Sequence, residues 1–208
     1  MKLVVGLGNP GPAYEGTRHN LGFLAARLLA EKLGLPRFRP SLRGLTSRAA
    51  VDGLGDVVIL LPTTFMNESG AAVKAVLRRR PVAPGDLVII HDDLDLPPGR
   101  LRVRLGGSSG GHRGVASVID CLGTDAFVRV RIGIGRPPGG VDPVDYVLER
   151  PWGRERDELS AAAALAAEAA KTVLVDGPES AMSRFNARPT KREAGPPPAA
   201  GVDEAGAR

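Results

Sequence analysis

Leu3-Val4-Val5-Gly6-Leu7-Gly8-Asn9-Pro10-Gly11 is the stretch on which the fold turns. Leu3 to Gly6 is a short apolar run closed by glycine, the pattern of a buried strand. Leu7 to Arg18 is rich in Gly and Pro and reads as a loop. Leu21, Leu24, Ala25, Leu28 and Leu29 then recur at i, i+3, i+4, i+7 and i+8. That spacing predicts an amphipathic helix, with Asn20 as its N-cap. Strand, loop and helix form one unit, and the chain goes on in the same alternation.

Leu45 to Val51 and Asp56 to Leu61 predict two strands joined by a Gly-containing turn. Pro62 to Ser69 is a loop. Ala72, Val73, Val76 and Leu77 mark a helix ending in Arg78-Arg79-Arg80. Asp86 to Ile90 is a buried strand that runs into His91-Asp92-Asp93, and Arg100 to Leu105 is another strand. A Gly/Ser loop, 106–111, leads to a helix marked by Val115, Val118, Ile119 and Leu122. Phe127 to Ile134 reads as a strand, Arg154 to Val175 as a long Ala-rich helix, and a shorter helix follows near Ser180. This alternation predicts a single three-layer α/β/α domain over residues 1–188. Its centre is a mostly parallel, mixed and twisted sheet flanked by helices. Residues 189–208, with Gly195-Pro196-Pro197-Pro198, hold too few apolar side chains to pack and are expected to be a disordered tail.

The 208 residues carry 28 Lys and Arg against 23 Asp and Glu, a net charge of +5, which suits a polyanionic partner. The one cysteine, Cys121, cannot form an internal disulfide and is expected in the core. The N-terminal segment reads as a strand and lacks a signal-peptide apolar region. No apolar run approaches the roughly 20 residues of a membrane span, so a soluble cytoplasmic protein is expected.

Several motifs compete for the chemistry. Gly6-Leu7-Gly8-Asn9-Pro10-Gly11 matches a dinucleotide fingerprint, but that use needs a helix opening at the glycines. Here Pro10 and Pro12 intervene and the helix starts only near residue 20. Gly107-Ser108-Ser109-Gly110-Gly111 matches a nucleophile elbow at Ser109, yet the acid and histidine that should follow it lie upstream. His91-Asp92-Asp93-Leu94-Asp95 offers carboxylates to a hard cation, but neighbours on an extended segment point apart. Among the three histidines, His19 stands out: it follows a strand-end loop and has Arg18, Asn20 and Asn9 near it in sequence. A carboxylate at another strand end, Asp92, can bond one imidazole nitrogen and leave the other to take a proton from water. Arg100, Arg102 and Arg104 alternate on one strand, as do Arg129 and Arg131. Such stripes are either solvated faces or phosphate contacts.

Four ordered segments join these features. They are Gly6-Leu7-Gly8-Asn9-Pro10-Gly11, Thr17-Arg18-His19-Asn20, the run Pro62-Thr63-Thr64-Phe65-Met66-Asn67-Glu68-Ser69-Gly70, and His91-Asp92-Asp93-Leu94-Asp95-Leu96-Pro97-Pro98-Gly99. With Gly110-Gly111-His112-Arg113-Gly114 and Arg131-Ile132-Gly133-Ile134-Gly135-Arg136, they closely resemble bacterial peptidyl-tRNA hydrolases over residues 1–187. The resemblance implies cleavage of the ester that joins a peptide to the 3′-terminal ribose of tRNA, without metal or organic cofactor. It implies that His19 is the catalytic base and that Asp92 holds it. It also implies that Asn9 senses a blocked, peptide-like amine and that Asn67 binds substrate. Tyr14 and Phe65 match tRNA-contacting positions, and Arg104 and Arg131 match basic positions for the tRNA end phosphate. Met66 and Arg113 fall within the same substrate-binding motifs. A monomer without an obligate protein partner is expected. One residue departs from the pattern: the family usually reads Gly-Gly-His-Asn-Gly, and here Arg113 stands in place of the asparagine. A non-catalytic RNA-binding relative and a Ser109 esterase are the alternatives.

Overall fold

The structure is a computed structural model that describes residues 1–187, so the tail expectation for 189–208 lies outside the described residues. The elements run in this order: β1 (Lys2–Gly6), α1 (Leu21–Lys32), β2 (Arg39–Ser41), β3 (Gly44–Val51), β4 (Gly55–Pro62), α2 (Ser69–Arg79), β5 (Leu87–Asp93), β6 (Leu101–Leu105), α3 (Arg113–Leu122), β7 (Val128–Gly133), α4 (Pro143–Leu148), α5 (Gly153–Asp176) and α6 (Pro178–Phe185). One seven-stranded sheet has the order β2-β3-β4-β1-β5-β7-β6. β4, β1, β5 and β7 pair in parallel at its centre, while β2, β3 and β6 add antiparallel edges.

The central strands are apolar on both faces because both faces are covered. Val4, Ile59, Ile90 and Ile132 pack with α1 and α5, through Ala25, Leu29, Ala163 and Ala166. Leu3, Val5, Leu60 and Ile89 pack on the other side with α2 and α3, through Ala72, Val73, Val115 and Val118. Each wholly buried Ile or Leu adds roughly 1.5–3 kcal/mol relative to exposure. The two packed faces make a three-layer α/β/α domain.

Two short elements, β2 and α4, lack an apolar period in the sequence. α4 is instead set by a local signal: Pro143 occupies its first turn and the Asp142 side chain accepts from the Val144 N–H at 2.6 Å. Cys121 is half-buried rather than a core residue, lying near the end of α3.

Candidate active site

β4 and β5 flank β1 on opposite sides, and the chain crosses over opposite faces of the sheet to reach them. Open α/β sheets form crevices beyond the carboxyl ends of their strands at such switch points. Here the chain leaving β1 carries Asn9 and His19, and the end of β5 carries Asp92. Close approach fixes this junction. A Cβ on Gly22 would collide with the carbonyl oxygens of Leu7 and Ile90, and one on Gly8 would meet the Phe23 ring at 2.7 Å. Gly6 and Gly8 of the fingerprint-like segment therefore serve packing, whereas Gly11 has open space around it and a positive φ of 101°.

Asn20 does not cap α1 through its side chain. Its Oδ1 accepts from the Asn9 N–H at 2.8 Å and its Nδ2 donates to the Asn9 carbonyl at 3.0 Å. The one-turn 3₁₀ segment Arg18–Asn20 leads directly into α1, and the Leu21 N–H donates to the Arg18 carbonyl, so the cap is supplied by backbone. The Asn9 Oδ1 accepts from the Met66 N–H at 2.9 Å. That contact fixes the amide's orientation and leaves its Nδ2 donor without a partner among the described residues.

His19 Nδ1 lies 2.9 and 3.0 Å from the two Asp92 carboxylate oxygens. A carboxylate accepts, so Nδ1 carries the proton and Nε2 is the open acceptor. Asp92 has a second partner in His112. The N–H groups of Gly114 and Val115, at the start of α3, donate to His112 Nδ1 at 3.1 and 3.2 Å. Nδ1 is thus an acceptor, and the Nε2–H is the group that meets Asp92 Oδ1 at 3.1 Å. Two imidazoles from different elements converge on one carboxylate that is 2% exposed.

The electrostatics follow from this convergence. Burial by itself pushes the Asp92 carboxyl up, but His19 and His112 outweigh it and hold the group well below the usual carboxylate range. Burial opposes charge on His19 as well. The Asp92 carboxylate reverses that effect and raises the imidazole's proton affinity above its ordinary value, while Arg113 works the other way. His91 is driven far down by burial and by its neighbour His112. Its Nδ1 bonds the Asp92 backbone carbonyl at 2.7 Å, and its ring meets His112 edge-on at 4.7 Å.

Asn9, His19, Phe65, Met66, Asn67, Asp92 and Arg113 border a cleft of about 480 Å³. Phe65 is 59% exposed, whereas Met66 is buried. Other expected site residues lie elsewhere. Tyr14 is half-buried in the preceding loop, where its carbonyl accepts from Thr17 Oγ1 at 2.8 Å. Arg104 and Arg131 stand on β6 and β7; Arg104 is exposed, and Arg131 is bound to the Asp93 carboxylate. Ser109 borders the cleft, but among the described residues no imidazole nitrogen bonds its hydroxyl.

Two features were not anticipated from the sequence. The role of His112 was visible only as a histidine just before a helix start, and the cleft wall from Val144, Val147 and Leu148 belongs to the unanticipated α4. For metal binding, His19, Asp92 and His112 have donor atoms within 4.8 Å of one another. Those atoms are joined by hydrogen bonds instead. Asp92 and Asp93 point apart, and Asp95 pairs with Arg136 at 2.5 Å, so the acidic run spreads over separate partners.

A family model for peptidyl-tRNA hydrolase matches residues 3–193. The chain belongs to the peptidyl-tRNA hydrolase family. It is 50% identical over 186 residues to a peptidyl-tRNA hydrolase of Moorella thermoacetica, covering 88% of this chain and 97% of that one. It is 43% identical over 188 residues to that of Syntrophotalea carbinolica, covering 90% and 98%. The crystal structure of the Acinetobacter baumannii peptidyl-tRNA hydrolase superposes with a TM-score of 0.82 at 37% identity, over 90% of this chain and 95% of that one. In this member of the peptidyl-tRNA hydrolase family, Arg113 is exposed at the cleft and has no acidic partner among the described residues.

Proposed function

We propose that the chain hydrolyses the ester between a peptide and the 3′-terminal ribose of tRNA, with His19 as general base. The observation that carries this reading is the His19 Nδ1 to Asp92 bond at 2.9 Å in the cleft of a peptidyl-tRNA hydrolase family member, with Nε2 left open. Nε2 takes a proton from water as its oxygen attacks the ester carbonyl carbon. The tetrahedral oxyanion collapses, the ribose oxygen leaves, and the imidazolium returns the proton to it. Asp92 stabilises that imidazolium and keeps the productive tautomer. Asn67 is the candidate donor to the oxyanion, and the Nδ2 of Asn9 suits a carbonyl of the blocked amine. An ester's leaving group is good enough for activated water, so no covalent nucleophile is needed.

Phe65 at the border of the cleft and Tyr14 outside it are read as tRNA contacts, and Arg104 and Arg131 as contacts to its end phosphate. Residues 1–188 are read as the catalytic domain, acting as a cytoplasmic monomer. Among the described residues, no helix is long and apolar enough to cross a membrane. The test compares N-blocked and free aminoacyl-tRNA as substrates. The blocked ester is cleaved faster, and His19→Ala lowers its turnover by roughly 10²–10⁴-fold. Normal turnover by His19→Ala would falsify the assignment of the base.

A further inference from the structure

Arg18 immediately precedes the proposed base, yet it is 5% exposed and points away from solvent chemistry. Its Nε and Nη2 donate to the two carboxylate oxygens of Glu155 at 2.8 and 2.9 Å. Its Nη1 donates to the Tyr146 carbonyl at 3.0 Å and to the Glu149 carboxylate at 3.1 Å. The guanidinium carbon lies 4.2 Å from the centre of the Tyr146 ring, and the Arg18 backbone N–H donates to the Glu149 carbonyl at 3.1 Å. All these partners belong to one segment, α4 and the start of α5. The same segment is tied down again by Arg150, which donates to the Glu15 and Pro12 carbonyls at 2.8 Å each.

That segment forms one wall of the site. α4 has only six residues, and its Val144 is 41% exposed. Val144, Val147 and Leu148 wall the catalytic cleft. Pro151 and Leu159, further along, border a second cavity of about 600 Å³ that shares Asn9 with the first. A six-residue helix is too short to hold itself, so its position must come from tertiary contacts. The buried Tyr146 and Val147 side chains and the Tyr146 hydroxyl, which donates to the Ile134 carbonyl at 2.8 Å, hold its core side. The planar five-donor fork of Arg18 ties its carboxyl end to the turn that carries His19, in a geometry that a lysine ammonium cannot reproduce.

We propose that Arg18 is a positioning residue. It clamps the α4 wall to the turn that carries His19, so that the width of the cleft and the placement of the base are set together. The proposal rests on the hydrolase reading for its kinetic consequence, but the clamp itself does not. Small displacements of a positioned group cost on the order of 10²-fold in rate. Arg18→Gln should therefore lower kcat/KM by about that factor, and Arg18→Lys by roughly tenfold, since it keeps the charge without the fork.

The experiment uses the full chain, well below the Tm of each variant, with N-acetyl-aminoacyl-tRNA as substrate and amide hydrogen exchange as the second readout. The expected result is a fall in kcat/KM ordered Gln below Lys below wild type, with exchange at Tyr146, Val147 and Leu148 accelerated in the same order. Arg18→Gln/Glu155→Gln should be no worse than Arg18→Gln alone, because partners in one clamp are not additive. If Arg18→Gln does not fold, Glu155→Gln tests the same contact from a carboxylate whose side chain is 31% exposed. A lowered Tm with unchanged kcat/KM would overturn the proposal, and so would unaltered α4 exchange in any folded variant. Failure of the hydrolase reading would instead show as no release of tRNA from N-acetyl-aminoacyl-tRNA by the wild-type chain, with the exchange pattern of the Arg18 variants intact.

Discussion

The ends of β1 and β5 and the β6–β7 edge both gather polar side chains, and they treat them oppositely. At the strand ends, separate elements send groups to one carboxylate: His19 from the turn before α1 and His112 from the cap of α3. At the edge, four arginines share one face of the sheet, since Arg102 pairs with Arg131 and Arg104 with Arg129 in register. Yet Arg129 is 3% exposed and donates to the Ser108 carbonyl at 2.6 Å and to that of Gly106. Arg131 is bound to Asp93, and Arg102 and Arg104 are exposed. Alternation decides which face a charge takes, and the covering element decides whether it meets a partner or water. The Gly106–Gly111 loop folds over Arg129, so one arginine becomes part of the frame while its cross-strand neighbour stays open to a ligand.

The largest effect comes from breaking the convergence. Asp92→Asn keeps the shape, but its amide can donate to His19 Nδ1 and so favour the wrong tautomer. A fall in kcat of roughly 10²–10⁴-fold is expected. Its pH profile carries a sign. His19 has a raised proton affinity in the folded protein, so activity climbs as pH rises through that raised value and the base becomes neutral. Without the carboxylate, burial is unopposed and the acid limb of kcat/KM shifts to lower pH. An acid limb that stays in place would show that Asp92 does not govern the base.

The next effect strikes the edge. Arg129→Met leaves the Gly106 and Ser108 carbonyls without their donor, at a cost of about 1–3 kcal/mol read as a lower Tm. Its signature is faster exchange over residues 106–111, with the acid limb of the rate profile unmoved. A shift of that limb would mean that the edge and the strand-end site are not separate. Between the two regions stands Arg113. Its guanidinium lowers the proton affinity of His19, so Arg113→Gln should move the acid limb to higher pH. If the guanidinium also bonds substrate, kcat/KM falls by about tenfold, the scale of a hydrogen bond to a charged group.

The difference between the regions also explains what was legible in the sequence. β1, α1, β5 and α3 announce themselves because each buries a periodic apolar face. His19 and Asp92 were readable as a pair because they follow strand ends in motifs with a family resemblance, and the structure places them in contact. His112 was not. Its role depends on which nitrogen the α3 backbone N–H groups occupy, and that is a matter of helix orientation rather than spacing. Arg18 was equally opaque, since its partners Glu149 and Glu155 lie more than a hundred residues away in the chain. The arginine stripe showed its alternation but not its cover. Arg100 precedes β6 and donates to the Asn186 carbonyl, so the three-residue stripe reduces to Arg102 and Arg104.

The smallest effect is also the cleanest test of the open edge. Arg104 is exposed and opposes Arg129 in register, whose own proton affinity is depressed by burial and by the adjacent Arg131 and Arg104. Three guanidiniums this close repel one another, which is tolerable only where water or an anion can take up the field. A phosphate group would relieve that repulsion, so Arg104 should contribute to binding tRNA and not to stability. Arg104→Ala is expected to leave Tm and kcat unchanged, to weaken tRNA binding a few-fold, and to reduce the slope of log K against log salt by about 0.7–0.9, the value of one phosphate contact. An unchanged slope would mean that the phosphate lies elsewhere and that the exposed arginine is only solvated. A Tm that rises in the variant would show that the repulsion is unrelieved in the free protein and that the site is preloaded for an anion.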